Sequence, residues 1–110
     1  MDKKQLDIAT SLVKRDFELD TISEGEISEE ELLQALANQV AYMLEYRLEF
    51  LLSLMYRLDV PEHKVQMALS PLGTEAPNIA LARLVMERQK QRAYTKMHYR
   101  PEDLGAEWDW

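Results

Sequence analysis

The side chains able to do acid–base or metal chemistry are few, and their spacing does not suit it. His63 and His98 are the only histidines. A carboxylate-bridged di-metal bundle needs paired Glu-x-x-His motifs, but Val60 and Thr95 stand where the glutamates would have to be. The chain has no cysteine, which excludes disulfides, thiolate metal ligation and a cysteine nucleophile. It contains no glycine-rich phosphate loop, nucleophile elbow or HExxH motif. No catalytic residue, metal ligand or cofactor is assigned, and a non-enzymatic protein is expected.

Charge and aromatic residues offer more. Residues 83 to 100 carry six Lys/Arg against one acid, a basic helix in a protein of net charge −7 and pI 4.8. Arg88, Lys90, Arg92, Lys96 and Arg100, with Tyr94 and Tyr99, have the chemistry to grip phosphates and stack bases. The same cations also suit a helix C-terminus or the protein's own acids, among them the cluster from Glu24 to Glu31. The tail "PEDLGAEWDW" has four acids, no base and both tryptophans. Trp108 and Trp110 are candidates to dock against the basic helix, with Trp108 over an arginine plane or beside Tyr94. Arg47 lies on an otherwise apolar face. It is read as a side chain whose stem packs while its head reaches solvent, with a buried anion site or an interface ion pair as the functional alternatives.

These groups must be carried by helices. The chain has three glycines and no alternating β-branched run. Leu6, Ala9, Val13 and Phe17 recur at helical spacing over residues 3 to 18. Ser28 and Glu31 form a capping-box pattern, with Glu29, Glu30 and Glu31 in the first turn, where negative charge complements the helix dipole. From there the pattern predicts one unbroken helix over 28 to 58. Asp59 and Pro61 stop it, and Asp59 with Glu62 is expected to cap a short helix over 61 to 69. A fourth helix spans 77 to 98, starting at Thr74 or Asn78 with Pro77 in its first turn. The expected fold is all-α: a small helical bundle, residues 1 to 100, built around the long helix, with 101 to 110 as a separate acidic aromatic tail.

The long helix raises the question of what covers it. Its apolar residues fill an arc of roughly 200°, about twice the stripe a surface helix buries. At 1.5 Å per residue it would run about 46 Å, against a diameter of roughly 34 Å for a compact chain of this size. No proline or glycine lies within it to cause a kink, so a second copy is expected to cover the excess, with a two-fold dimer as the commonest symmetry. Leu48, Leu52 and Met55 at one margin of the arc, or Leu32, Met43 and Phe50 at the other, are the candidate interface residues.

The strings "LMYRLDVPEHKVQMALS" and "NIALARLVMERQKQR" resemble segments of short helical proteins of bacteria that have no assigned activity. The resemblance spans about residues 28 to 100. It implies a small free-standing helical protein and carries no site. The N-terminus lacks an apolar signal core, and no run approaches the roughly 20 apolar residues that cross a bilayer. The expected protein is therefore a cytoplasmic homodimeric interaction or adaptor module, with a protein partner possible and no membrane association. Nucleic-acid or ribonucleoprotein binding through the basic helix is the alternative.

Overall fold

A computed structural model describes residues 3–19 and 27–98. The described residues form an all-helical bundle of α1 (Lys3–Phe17), α2 (Glu29–Tyr46), α3 (Leu48–Arg57), α4 (Glu62–Leu69) and α5 (Pro77–His98). α1 buries Ala9, Leu12, Val13 and Phe17, close to the face its spacing marks out. It ends at Glu18, which takes a left-handed conformation at φ 56°. The Leu19 N–H then reaches back to the Lys14 carbonyl at 3.1 Å, and the Leu19 side chain is buried. This is the Schellman ending, in which the residue after the left-handed one satisfies an orphan carbonyl and packs inward.

α2 starts as its sequence requires. The Glu31 N–H donates to Ser28 Oγ at 3.0 Å, and the Ser28 N–H donates to Glu31 Oε1 at 3.1 Å. The Ser28 backbone N–H, and after it the Ser28 hydroxyl, hold the Glu31 carboxyl below its ordinary value, because they favour its charged form.

The expected unbroken helix over 28 to 58 is two helices. The chain leaves helical geometry at Arg47, with φ −140° and ψ 46°, and re-enters it at Leu48. The physical reason lies in Arg47 itself. On a straight helix it would sit between Val40 and Leu54, both of which are buried, and a charge there would lack a partner. The break instead carries its guanidinium to Glu18, with Nη1 3.0 Å from Oε2, and over the Phe50 ring at 4.2 Å. A kink without proline or glycine therefore has an identifiable cause. Helix length consequently no longer argues for a second copy.

α3 stops where Asp59 and Pro61 predict, but Asp59 acts differently from the expectation. It does not cap α4. It is the left-handed residue of a second Schellman ending, at φ 61°. Its N–H donates to the Tyr56 carbonyl, and the Val60 N–H donates to that of Met55. Pro61 occupies the position before α4, which has no side-chain cap. Asn78 likewise does not cap α5, since its Nδ2 donates to the Ala37 carbonyl on α2 at 3.2 Å.

The organising element is α5, which packs against α1, α2 and α4. It replaces the 28–58 segment as the centre of the bundle. Its apolar half supplies Leu81, Ala82, Val85 and Met86 to a core shared with Leu32, Leu36, Val40 and Met43 of α2 and Leu51, Leu54 and Met55 of α3. Side-chain amides tie the layers together: Gln5 donates to the Lys90 carbonyl, and Gln39 donates to that of Phe17. The first uses the spare lone pair of a carbonyl inside α5, and the second satisfies an orphan carbonyl at the end of α1.

Candidate interaction surface

The basic half of α5 is spent largely on its own chain. Arg88 donates through Nε to the Leu58 carbonyl at 2.7 Å and places Nη2 3.5 Å from Asp59. Lys90 pairs with Glu29 in the first turn of α2, and Arg83 pairs with Glu75. Arg92 sits in the most enclosed polar cluster of the described residues. Its Nη1 donates to Gln89 Oε1 at 3.0 Å and to Asp16 Oδ2 at 3.3 Å. Gln89, fully buried, donates in turn to the same Asp16 oxygen at 2.9 Å. Burial pulls the Arg92 guanidinium down from its ordinary value, and Asp16 opposes that shift. The amide, the carboxylate and the guanidinium close a ring between α1 and α5, so each meets a partner inside the fold.

What remains outward on α5 is thin. Tyr94 is exposed and stacks on His98, with ring centroids 4.1 Å apart, and Lys96 is exposed in the last turn. The phosphate-gripping set read from sequence is therefore not assembled as one free cationic surface among the described residues. Arg100, Trp108 and Trp110 lie outside the described residues, and so does the docking of the tail. His63 is exposed on α4. No group of three or more His, Cys, Asp or Glu comes together among the described residues.

A run of exposed apolar and aromatic side chains lies on α3 and beside it. Leu48 and Leu52, one turn apart, are 43% and 39% exposed, and Tyr56, a further turn on, is 83% exposed. Tyr42 and Tyr46 on the last turns of α2 are also exposed and stack with centroids 5.1 Å apart. Beside them a groove of about 790 Å³ is lined by Leu52, Met55 and Tyr56 of α3, Val60 and Pro61 of the turn, and Val65 and Leu69 of α4, with Arg57, Asp59 and Glu62 also in its lining.

The residues expected at an interface separate into groups, and Leu32 among them is fully buried. Leu48 and Leu52 are outward and lie on this surface. Met43 and Met55 are buried in the core of their own chain, so neither offers free surface to a partner, although Met55 also touches the groove. Phe50 is half-buried beneath Arg47, with Arg57 farther off at 5.9 Å. Assigning them all to one arc assumed a continuous helix, and the Arg47 break rotates the two halves onto different surroundings. Tyr46 and Tyr56 were not singled out because they fell among polar residues on the wheel, yet they carry much of the exposed aromatic area. An exposed tyrosine on a polar face is a weak signal by itself. A signal for the break was present in Arg47, a charge in the middle of an apolar arc.

Among the described residues no helix is long and apolar enough to cross a membrane. Comparison with protein-family models, with curated proteins and with solved structures found no match to this chain.

Proposed function

We propose that this chain is a non-enzymatic cytoplasmic interaction module that pairs with a second copy through the α3–α4 groove and the tyrosines beside it. The observation that carries the reading is the exposed row of Leu48, Leu52 and Tyr56 next to an apolar groove of about 790 Å³. Contiguous exposed apolar surface rimmed by polar groups marks an interaction site rather than ordinary surface. The charges on the same face favour a copy of itself as the partner. Arg57 lines the groove together with Asp59 and Glu62, so a two-fold axis can set each Arg57 against acids of the other chain, and an isologous interface must be self-complementary. The cations of α5 are engaged inside the fold, and no observation favours the nucleic-acid reading over this one.

Light scattering after size exclusion at micromolar concentration tests it. The expected mass is twice the 12.9 kDa of one chain, falling to one on dilution. Leu52→Glu with Tyr56→Ser should abolish the dimer that dissociates on dilution. A parent chain without a dilution-sensitive dimer, or one whose dilution-sensitive dimer ignores both substitutions, would remove the reading.

A further inference from the structure

Arg47 is the single residue between two helices, α2 and α3, and residues 28 to 58 contain neither glycine nor proline. The backbone bonds on either side keep helical spacing, from the Arg47 N–H to the Met43 carbonyl at 2.8 Å and from the Leu51 N–H to the Arg47 carbonyl at 3.0 Å. One residue's dihedrals thus separate the bent chain from a straight helix. The local restraints on the bend are modest. The Glu18–Arg47 pair has side chains 59% and 35% exposed, and pairs so exposed contribute little. The guanidinium over Phe50 adds a cation–π contact.

The larger restraint is packing across the joint. Asn78 to Ala37, Lys90 to Glu29, Gln89 to Asp16 and Gln5 to Lys90 all run between α5 and either α1 or α2. The core contacts of α5 with α1 and α2 do the same. None of these contacts depends on whether both sides belong to one chain. We propose that Arg47 is a hinge at which two copies exchange their α3–α5 portions. Straightening there joins α2 and α3 into one helix of about 44 Å at 1.5 Å per residue. It lifts α3–α5 off their own α1–α2 and delivers them to the α1–α2 of a second copy, where the same contacts reform. Exchange of identical elements is a low-cost route to a dimer, and short hinges invite it. Arginine at the hinge opposes the straight form, because straightening returns its charge to the apolar arc between Val40 and Leu54. The residue therefore biases the chain toward the closed monomer. This goes beyond face-to-face pairing: closed copies separate on dilution, whereas exchanged copies separate only by opening their cores.

The test is to refold the full chain from denaturant at high concentration, dilute it, and follow the mass by size exclusion with light scattering over days. A long-lived dimer fraction is expected. Arg47→Ala removes the ion pair, the ring contact and the charge cost of straightening, and should raise the ratio of exchanged to closed chain about fivefold or more. Leu48→Pro should lower that ratio about a hundredfold, since proline inside a continuous helix is strongly unfavourable. Proline suits the first position of α3 in the closed form, and Arg47 is already outside the α region that a following proline disfavours. Leu48→Ala, and Leu52→Glu with Tyr56→Ser, should leave the long-lived fraction in place. Circular dichroism checks that Leu48→Pro folds. Independently of it, Glu29→Cys with Lys90→Cys in this cysteine-free chain, bridged by a short bismaleimide, should link two chains within the long-lived fraction. Absence of that fraction from Arg47→Ala, its persistence in folded Leu48→Pro, or bridges confined within single chains would each overturn the exchange. Loss of the fast, dilution-sensitive dimer with the long-lived one intact would instead remove only the face-to-face reading.

Discussion

The chain turns twice within thirteen residues, at Arg47 and at Asp59–Pro61, and the two turns have different origins. At Asp59 the ending is local. A left-handed residue, two backbone bonds to the last turn, a buried Val60 and a following proline together close α3. Every part of it lies between Met55 and Pro61. At Arg47 nothing local stops the helix, and the partners that hold the bend include Glu18, which is 29 residues away. The first turn is a property of the segment. The second belongs to the folded molecule, which offers a guanidinium a better place outside the core than within it.

Substitution can break or sharpen this contrast. The largest effect should come from the packing that keeps α3 against the core beyond the bend. Leu51 is fully buried, and Leu51→Ala should cost about 2–5 kcal/mol in chemical denaturation. Leu52→Ala, one residue away on the exposed side, should stay within about 0.5 kcal/mol. Comparable losses at the two sites would mean that α3 does not lie where its burial places it.

Next in size is the α2 cap, the most local feature of all. Ser28→Ala should cost about 1 kcal/mol, and Ser53→Ala on the outer face of α3 should cost within about 0.5 kcal/mol.

Glycine distinguishes the two turns by sign. Asp59 is left-handed and its side chain is 79% exposed, so Asp59→Gly should stabilise the protein by about 0.5–1 kcal/mol by relieving that conformation. Arg47 has negative φ, so Arg47→Gly relieves nothing and should destabilise by about 0.5–1 kcal/mol through lost contacts and added unfolded-state freedom. A gain at both sites in thermal melts would erase the distinction.

The smallest effect is acid dependence at the cap. The hydrogen bonds from Ser28 lower the Glu31 pKa in the folded chain. That contribution is present in full above the unfolded value and is lost as pH falls through the usual carboxylate range toward the lower folded value. Glu31→Gln keeps an acceptor for the Ser28 N–H but carries no charge, so the melting temperatures of the parent chain and Glu31→Gln should converge on acidification. A constant gap down to the acid limit would show that Glu31 takes no part.

The helical class was readable because its signals are short-range. The Ser28–Glu31 box, the spacing of Leu6, Ala9, Val13 and Phe17, the Asp59–Pro61 stop and the Pro77 start each depend on neighbours within a turn or two. The interaction surface was only half readable. Leu48 and Leu52 stood out as apolar residues at a margin, but Met43 and Met55 looked equivalent to them until the break assigned them to the core. The basic helix was read from a count of cations, and a count does not say which acids fold against them.

Residue types and their order were enough to make this chain helical, to place the cap of α2 and the end of α3, and to withhold cysteine and glycine-loop chemistry from it. Local steric and hydrogen-bonding preferences act over a few residues and are the same in any fold. Where α2 gives way to α3, which methionines are buried, and that α5 rather than the 28–58 segment anchors the bundle were settled by tertiary packing. Those outcomes depend on where a distant carboxylate, ring or carbonyl comes to rest, and a charge inside an apolar arc takes whichever backbone path leads it to a partner.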